Sequence, residues 1–131
     1  MIKNNKGFTL VELMVVLLII AILIAVAVPV FLGVRNRGYD NAIKQALTNA
    51  GRAAAGSFAA EGSWPATTTA MSAEENAYTY AASAVQGTAS NQEGTLGYTT
   101  SGSTMTLTGI SRSGVTYTTS GTAVGGLSRS W

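Results

Sequence analysis

The sequence predicts an α+β protein. A long N-terminal α-helix protrudes through its apolar half and packs through its amphipathic half on a small antiparallel β-meander of three or four strands. Three observations predict this. Residues 13–34 form an almost unbroken apolar run. Ile43, Leu47, Ala50, Ala54 and Phe58 then recur at three- and four-residue steps. Beyond Ala77, short segments alternate threonine with apolar side chains between Ser-Gly pairs.

The helix follows from the first two. About 20 apolar residues, rising roughly 1.5 Å each, cover the hydrocarbon core of a bilayer. The stripe from Ile43 to Phe58 has the 3.6-residue period of one helix face, which suits packing on a sheet. Asp40, Lys44 and Arg52 lie off it, and Asp40 precedes Lys44 by four residues, a mildly favourable spacing. One near-continuous helix over residues 8–58 would run about 75 Å. A soluble monomer has no use for so long an apolar rod. Pro29 falls inside the run, where it removes one backbone hydrogen bond and favours a kink. In Ala59-Ala60-Glu61-Gly62-Ser63-Trp64-Pro65, Gly62 is a stop signal and Pro65 bars continuation. Trp64 is expected to cap a small core, and Ser72-Ala73-Glu74-Glu75 to start a short helical turn.

The strands follow from period-2 patterning. Residues 77–82 place Tyr78 and Tyr80 on one face; residues 95–100 and 104–108 are threonine-rich; in the latter, Met105 and Leu107 alternate with Thr104, Thr106 and Thr108. Residues 115–119 repeat the theme with Val115 and Tyr117. Ser101-Gly102, Ser113-Gly114 and Ser120-Gly121 read as the turns. The tail from Gly125 to Trp131 reads as a loose end or a subunit contact.

Composition excludes most chemistry. The 131-residue chain has no cysteine and no histidine, which removes disulfides, ordinary nucleophile–base pairs and the common transition-metal ligands. No carboxylate follows Glu93, so a C-terminal calcium site is not expected. No phosphate-binding glycine loop is present. The expectation is a protein that is not an enzyme and holds no cofactor or metal. Of the eight basic side chains, Lys3 and Lys6 precede Gly7; the six beyond it balance the six acidic ones. That balance gives no support for nucleic-acid binding, for which Lys44, Arg112 and Arg129 would be the only seeds.

Three readings of the N-terminus compete. Ala25-Val26-Ala27 fits a secretory signal peptide released at Val28. A plain single-pass anchor would also suit the apolar run. Glu12 discriminates against both, because an acidic residue inside a spanning helix is costly and reads as functional. Neither a signal peptide nor a simple anchor gains from it. A buried carboxylate is tolerable only when paired and hydrogen-bonded.

Residues Lys6-Gly7-Phe8-Thr9-Leu10-Val11-Glu12 entering that run resemble the class III signal of type IV pilins and pseudopilins. The resemblance implies that residues 1–7 are a leader removed by a prepilin peptidase, which cuts between Gly7 and Phe8 and methylates Phe8. It implies that residues 8–34 serve as transmembrane helix and then as filament core, and that residues 35–131 form the globular head. Glu12 would neutralise the amine of a neighbouring subunit, and Pro29 would mark where the helix bends or unwinds on assembly. Many members carry a glycine eight residues before that proline; here the position is Ala21. The partners implied are the chain itself, as a helical homopolymer, the peptidase, the pilus assembly machinery and the membrane. The location implied is the cytoplasmic membrane, then an extracellular pilus. The sequence expectation is therefore a major pilin precursor, with a pseudopilin of a secretion or DNA-uptake system, or a membrane-anchored ligand-binding module, as alternatives.

Overall fold

A computed structural model describes residues 7–88, 90–91, 93–124 and 126–131. The leader expected over residues 1–7 therefore lies outside the described residues except for Gly7. Two compact units are present, one ending at Arg35 and the other comprising Asn36–Trp131. Helix α1 (Leu10–Glu61) contributes to both. The architecture is α+β, a long apolar N-terminal helix and a five-stranded mixed sheet.

In the first unit α1 is apolar on all sides, and every side chain of residues 7–35 is exposed. The helix continues through Pro29, where the missing N–H leaves one turn without its backbone bond. In the second unit α1 becomes one-sided. Ile43, Ala46, Leu47, Ala50, Gly51, Ala54 and Ser57 are buried, the face marked out by the three- and four-residue spacing. Phe58 is half-buried and lies against Trp64 with ring centroids 4.6 Å apart. Gly62 ends the helix in the left-handed region, at φ 74°, where its N–H still reaches the Phe58 carbonyl.

Trp64 and Pro65 then fasten the chain to the sheet. The Trp64 indole N–H donates to the Ser103 carbonyl at 2.9 Å, and the Tyr98 hydroxyl donates to the Pro65 carbonyl at 2.7 Å. Burial pushes the Tyr98 hydroxyl up to about 12. Helix α2 (Thr68–Glu74) follows, capped by the Thr67 side chain, which accepts from the Ala70 N–H. It buries Met71.

The strands are β1 (Thr79–Ala81), β2 (Thr95–Ser101), β3 (Thr104–Ile110), β4 (Thr116–Thr122) and β5 (Gly126–Ser130), in that spatial order. β2 to β5 form an antiparallel meander. Two features of the strand pairing depart from the sequence expectation. β1 runs parallel to β2, pairing Thr79 with Thr95, so the sheet is mixed. Residues 82–94 give the dozen or so residues that a parallel connection needs. The tail is a fifth strand, with Gly121 opposite Leu127. Its side chains are almost all exposed, so it carries no alternation from which a strand is legible.

The β2–β3 hairpin turns at Gly102-Ser103 with φ 59° at Gly102, the first-position glycine of a tight hairpin. Ser120-Gly121 is not a turn but lies inside β4, opposite Thr106 and Met105. The glycine is there for space: a Cβ at residue 121 would stand 2.8 Å from the Trp64 ring. The core lies between the buried helix face and the sheet, where Ile43, Leu47, Leu96, Met105 and Leu107 have no exposed surface. Val115, expected inward with Tyr117, lies just before β4 and is exposed, while Tyr117 is buried. Thr119 is fully buried, and its hydroxyl has no hydrogen-bond partner.

Candidate functional site

Gly7 and Phe8 precede α1 in an irregular, exposed segment, and 86% of the Phe8 surface is accessible. A Cβ at residue 7 would meet nothing within 4 Å, so packing within this chain gives no reason for a glycine there.

Thr9 and Glu12 are brought together. The Thr9 N–H and hydroxyl both donate to Glu12 Oε2 at 2.9 Å, and the Glu12 N–H donates to Thr9 Oγ1 at 3.2 Å. This is a capping box, in which residues three apart satisfy donors that the helix start leaves without intrahelical partners. Its sequence signature, Thr-x-x-Glu before an apolar run, stands at Thr9-Leu10-Val11-Glu12. The reading of Glu12 as a charge awaiting an external partner missed it. The box uses one carboxylate oxygen for two bonds, and the carboxylate remains exposed. Its charge is positioned in the first turn of the helix, and both hydrogen bonds described for its carboxylate come from Thr9. Pro29 lies 17 residues further along, roughly 25 Å up the helix, and shares no contact with that end.

A second cluster, in the unit Asn36–Trp131, joins residues far apart in the sequence. Ser111 and Ser113 donate their hydroxyls to Asp40 Oδ1, at 2.6 and 2.5 Å. Burial pushes the Asp40 carboxyl upward, but hydrogen bonds from Ser111, Ser113 and Tyr117, with the charge of Lys44, outweigh it and hold the group below the usual aspartate range. Beside it, Arg112 donates to the Tyr39 hydroxyl at 3.0 Å and lies over the Tyr39 ring. Lys44 lies 4.9 Å from the centre of the Tyr117 ring, Tyr117 meets Trp131 edge to face, and Arg129 lies over Trp131. The sequence gives no sign of this, because Asp40 and Ser111 are 71 residues apart.

Among the described residues, no three His, Cys, Asp or Glu side chains lie together as metal ligands. The mean hydropathy of the most apolar window of α1 is 3.4, and none of that window is buried, so by length and composition the helix is apolar enough to cross a membrane.

No curated protein and no solved structure matches the chain significantly. The N-terminus does match a known family: residues 2–28 fit the prokaryotic N-terminal methylation motif. The matched segment contains Gly7, Phe8 and the Thr9–Glu12 box. The motif is the class III signal peptide found in type IV pilins and pseudopilins, and this chain carries it at its N-terminus.

Proposed function

We propose that the chain is the precursor of a major type IV pilin, a structural subunit rather than an enzyme, which polymerises into an extracellular filament. A prepilin peptidase removes residues 1–7, cutting between Gly7 and Phe8 and methylating the new amine at Phe8. The observation that carries this reading is the pairing of an uncovered apolar helix with one carboxylate near its start. Residues 8–34 bury nothing within their own chain, and such a surface needs either lipid or other copies of itself. Both serve in turn: the cytoplasmic membrane before assembly, the filament core after it.

Glu12 is satisfied on one oxygen by Thr9 and keeps its charge for a partner outside the chain. The amine released at Phe8 of a neighbouring subunit is a partner of the right sign, and it exists only after cleavage, which couples processing to assembly. Pro29 supplies a weak turn at which the helix yields as subunits pack. The head, residues 35–131, coats the fibre. The pilus assembly machinery of the membrane extracts and stacks the subunits. A pseudopilin building a short fibre uses the same N-terminal signal, and the fibre length on cells separates the two.

The test is the N-terminal mass of the mature chain in sheared surface material. A chain beginning at Phe8 and carrying one extra methyl group supports the reading. A chain beginning at Val28 would mean a cleaved signal peptide and would overturn it.

A further inference from the structure

The second cluster lies at one end of the head, and its composition is unusual for this chain. Three of the basic side chains, Lys44, Arg112 and Arg129, each lie over an aromatic ring, those of Tyr117, Tyr39 and Trp131. Tyr117 meets Trp131, and Asp40, next to Tyr39 in the chain, binds Tyr117 and the Ser111 and Ser113 hydroxyls beside Arg112. Asp40 is an acidic side chain bonded into the cluster, and Lys44 is the cation whose charge acts on it. A ring face shields a cation without neutralising it. Trp131 is 47% exposed, a large aromatic surface to leave in water.

The place of this cluster in the chain identifies what covers it. Tyr39 follows the last apolar residue of the spanning run, Val34, by five residues. Whatever angle the chain takes there, five residues reach at most about 18 Å, and about 7.5 Å if helical. The headgroup layer extends about 5–8 Å beyond the hydrocarbon on each side. The cluster is therefore tethered within reach of the lipid headgroups whenever the apolar helix spans the bilayer. Tyr and Trp with Lys and Arg are the residues that favour that layer: rings settle at the boundary, and cations meet anionic phosphates.

We propose that this end of the head is a membrane-docking surface, in which Trp131 and Tyr39 enter the headgroup layer and Lys44, Arg112 and Arg129 bind anionic lipid phosphates before assembly. The inference rests on membrane anchoring by the apolar helix, not on filament formation. Docking would hold the head down against the bilayer, and extraction into a filament would have to release it.

The test uses the full-length chain reconstituted in phosphatidylcholine vesicles with or without phosphatidylglycerol. The difference in fluorescence between the native protein and Trp131→Phe isolates the Trp131 signal from that of the buried Trp64. With the anionic lipid, Trp131 emission should shift to the blue and be quenched by lipids brominated near the glycerol end of their acyl chains. High salt should reverse this. Each cation near an anionic surface is worth about fivefold in partitioning, so Arg129→Gln should weaken docking about fivefold and the triple change with Lys44→Gln and Arg112→Gln about a hundredfold. Unchanged Trp64 emission checks that the triple variant is folded; Arg129→Gln, on an exposed side chain, serves alone if it is not.

Trp131 equally open to aqueous iodide in both vesicle types would overturn the proposal. So would quenching of Trp131 by a single-stranded oligonucleotide, but not by lipid, with the same cation dependence; that result would make the surface a nucleic-acid site. A chain that does not float with the vesicles overturns the anchoring reading and this inference with it. A chain that floats while Trp131 stays in water overturns this inference alone.

Discussion

Glu12 has two separable roles, and one substitution divides them. In the structure its carboxylate takes both Thr9 donors at 2.9 Å, while its own N–H reaches the Thr9 hydroxyl. A glutamine at the same position completes a capping box as a glutamate does. Glu12→Gln therefore keeps the helix start and removes only the charge; Glu12→Ala removes both. If the charge pairs with a neighbour's amine in an apolar filament core, losing it leaves that amine uncompensated. Breaking a buried pair by removing one partner corresponds to a factor of about a hundred or more in an association constant. Losing a cap alone corresponds to a factor of about five. Filaments per cell and their lengths, counted by electron microscopy, should thus collapse in both variants. Flotation should show membrane insertion unchanged or improved in both. N-terminal mass should still begin at Phe8, because the cleaved bond lies outside the box. Normal filaments in Glu12→Gln would refute the pairing argument. Loss of filaments in Glu12→Ala alone would assign the defect to the cap.

Three further outcomes concern the head. Gly121→Ala should destabilise it by about 1–3 kcal/mol, the usual cost of overpacking, because the new Cβ meets the Trp64 ring at 2.8 Å and Leu127 at 3.2 Å. Thermal unfolding in detergent reads this, and Trp64 emission should shift to the red as the indole is displaced. Thr119→Val should stabilise by about 1 kcal/mol, since it replaces a buried hydroxyl that lacks a partner with a methyl group of similar shape; an unchanged or lower melting temperature would show that the hydroxyl is satisfied. Asp40 titrates below its ordinary range in the folded state, so its contribution is complete above the unfolded aspartate value near 4 and is lost as pH falls through the lower native one. Asp40→Asn should accordingly melt below the native protein at pH 7 and converge with it as the pH falls through the lowered native value; a constant gap would mean that ionisation is not what Asp40 contributes.

What was legible in the sequence was local. The stripe from Ile43 to Phe58 needs nothing beyond its own period to declare a helix face, and Met105 and Leu107 declare a strand face in the same way. The unread features each depend on a partner distant in sequence. Gly121 looks like a turn beside Ser120 until Trp64, 57 residues earlier, is laid across it. β1 looks like one more antiparallel strand, since three residues carry no direction, and its pairing is set by the 82–94 connection. At the processing end the reverse holds. The Thr9–Glu12 box is as local as any feature of the chain, and it was overlooked because the charge of Glu12 had already been given a purpose. The two purposes are compatible for a geometric reason. The box occupies one oxygen of the carboxylate and fixes its direction, so a neighbouring amine would meet an oriented acceptor rather than a mobile one. A carboxylate already ordered in the subunit has less side-chain freedom to lose when subunits join. Thr9 is therefore the residue through which the local cap would lower the entropic cost of assembly. On this argument Thr9→Val, which leaves the Glu12 charge in place but removes its orienting hydroxyl, should slow filament growth while sparing the mature N-terminus. Growth at the native rate would mean that the box serves the helix alone.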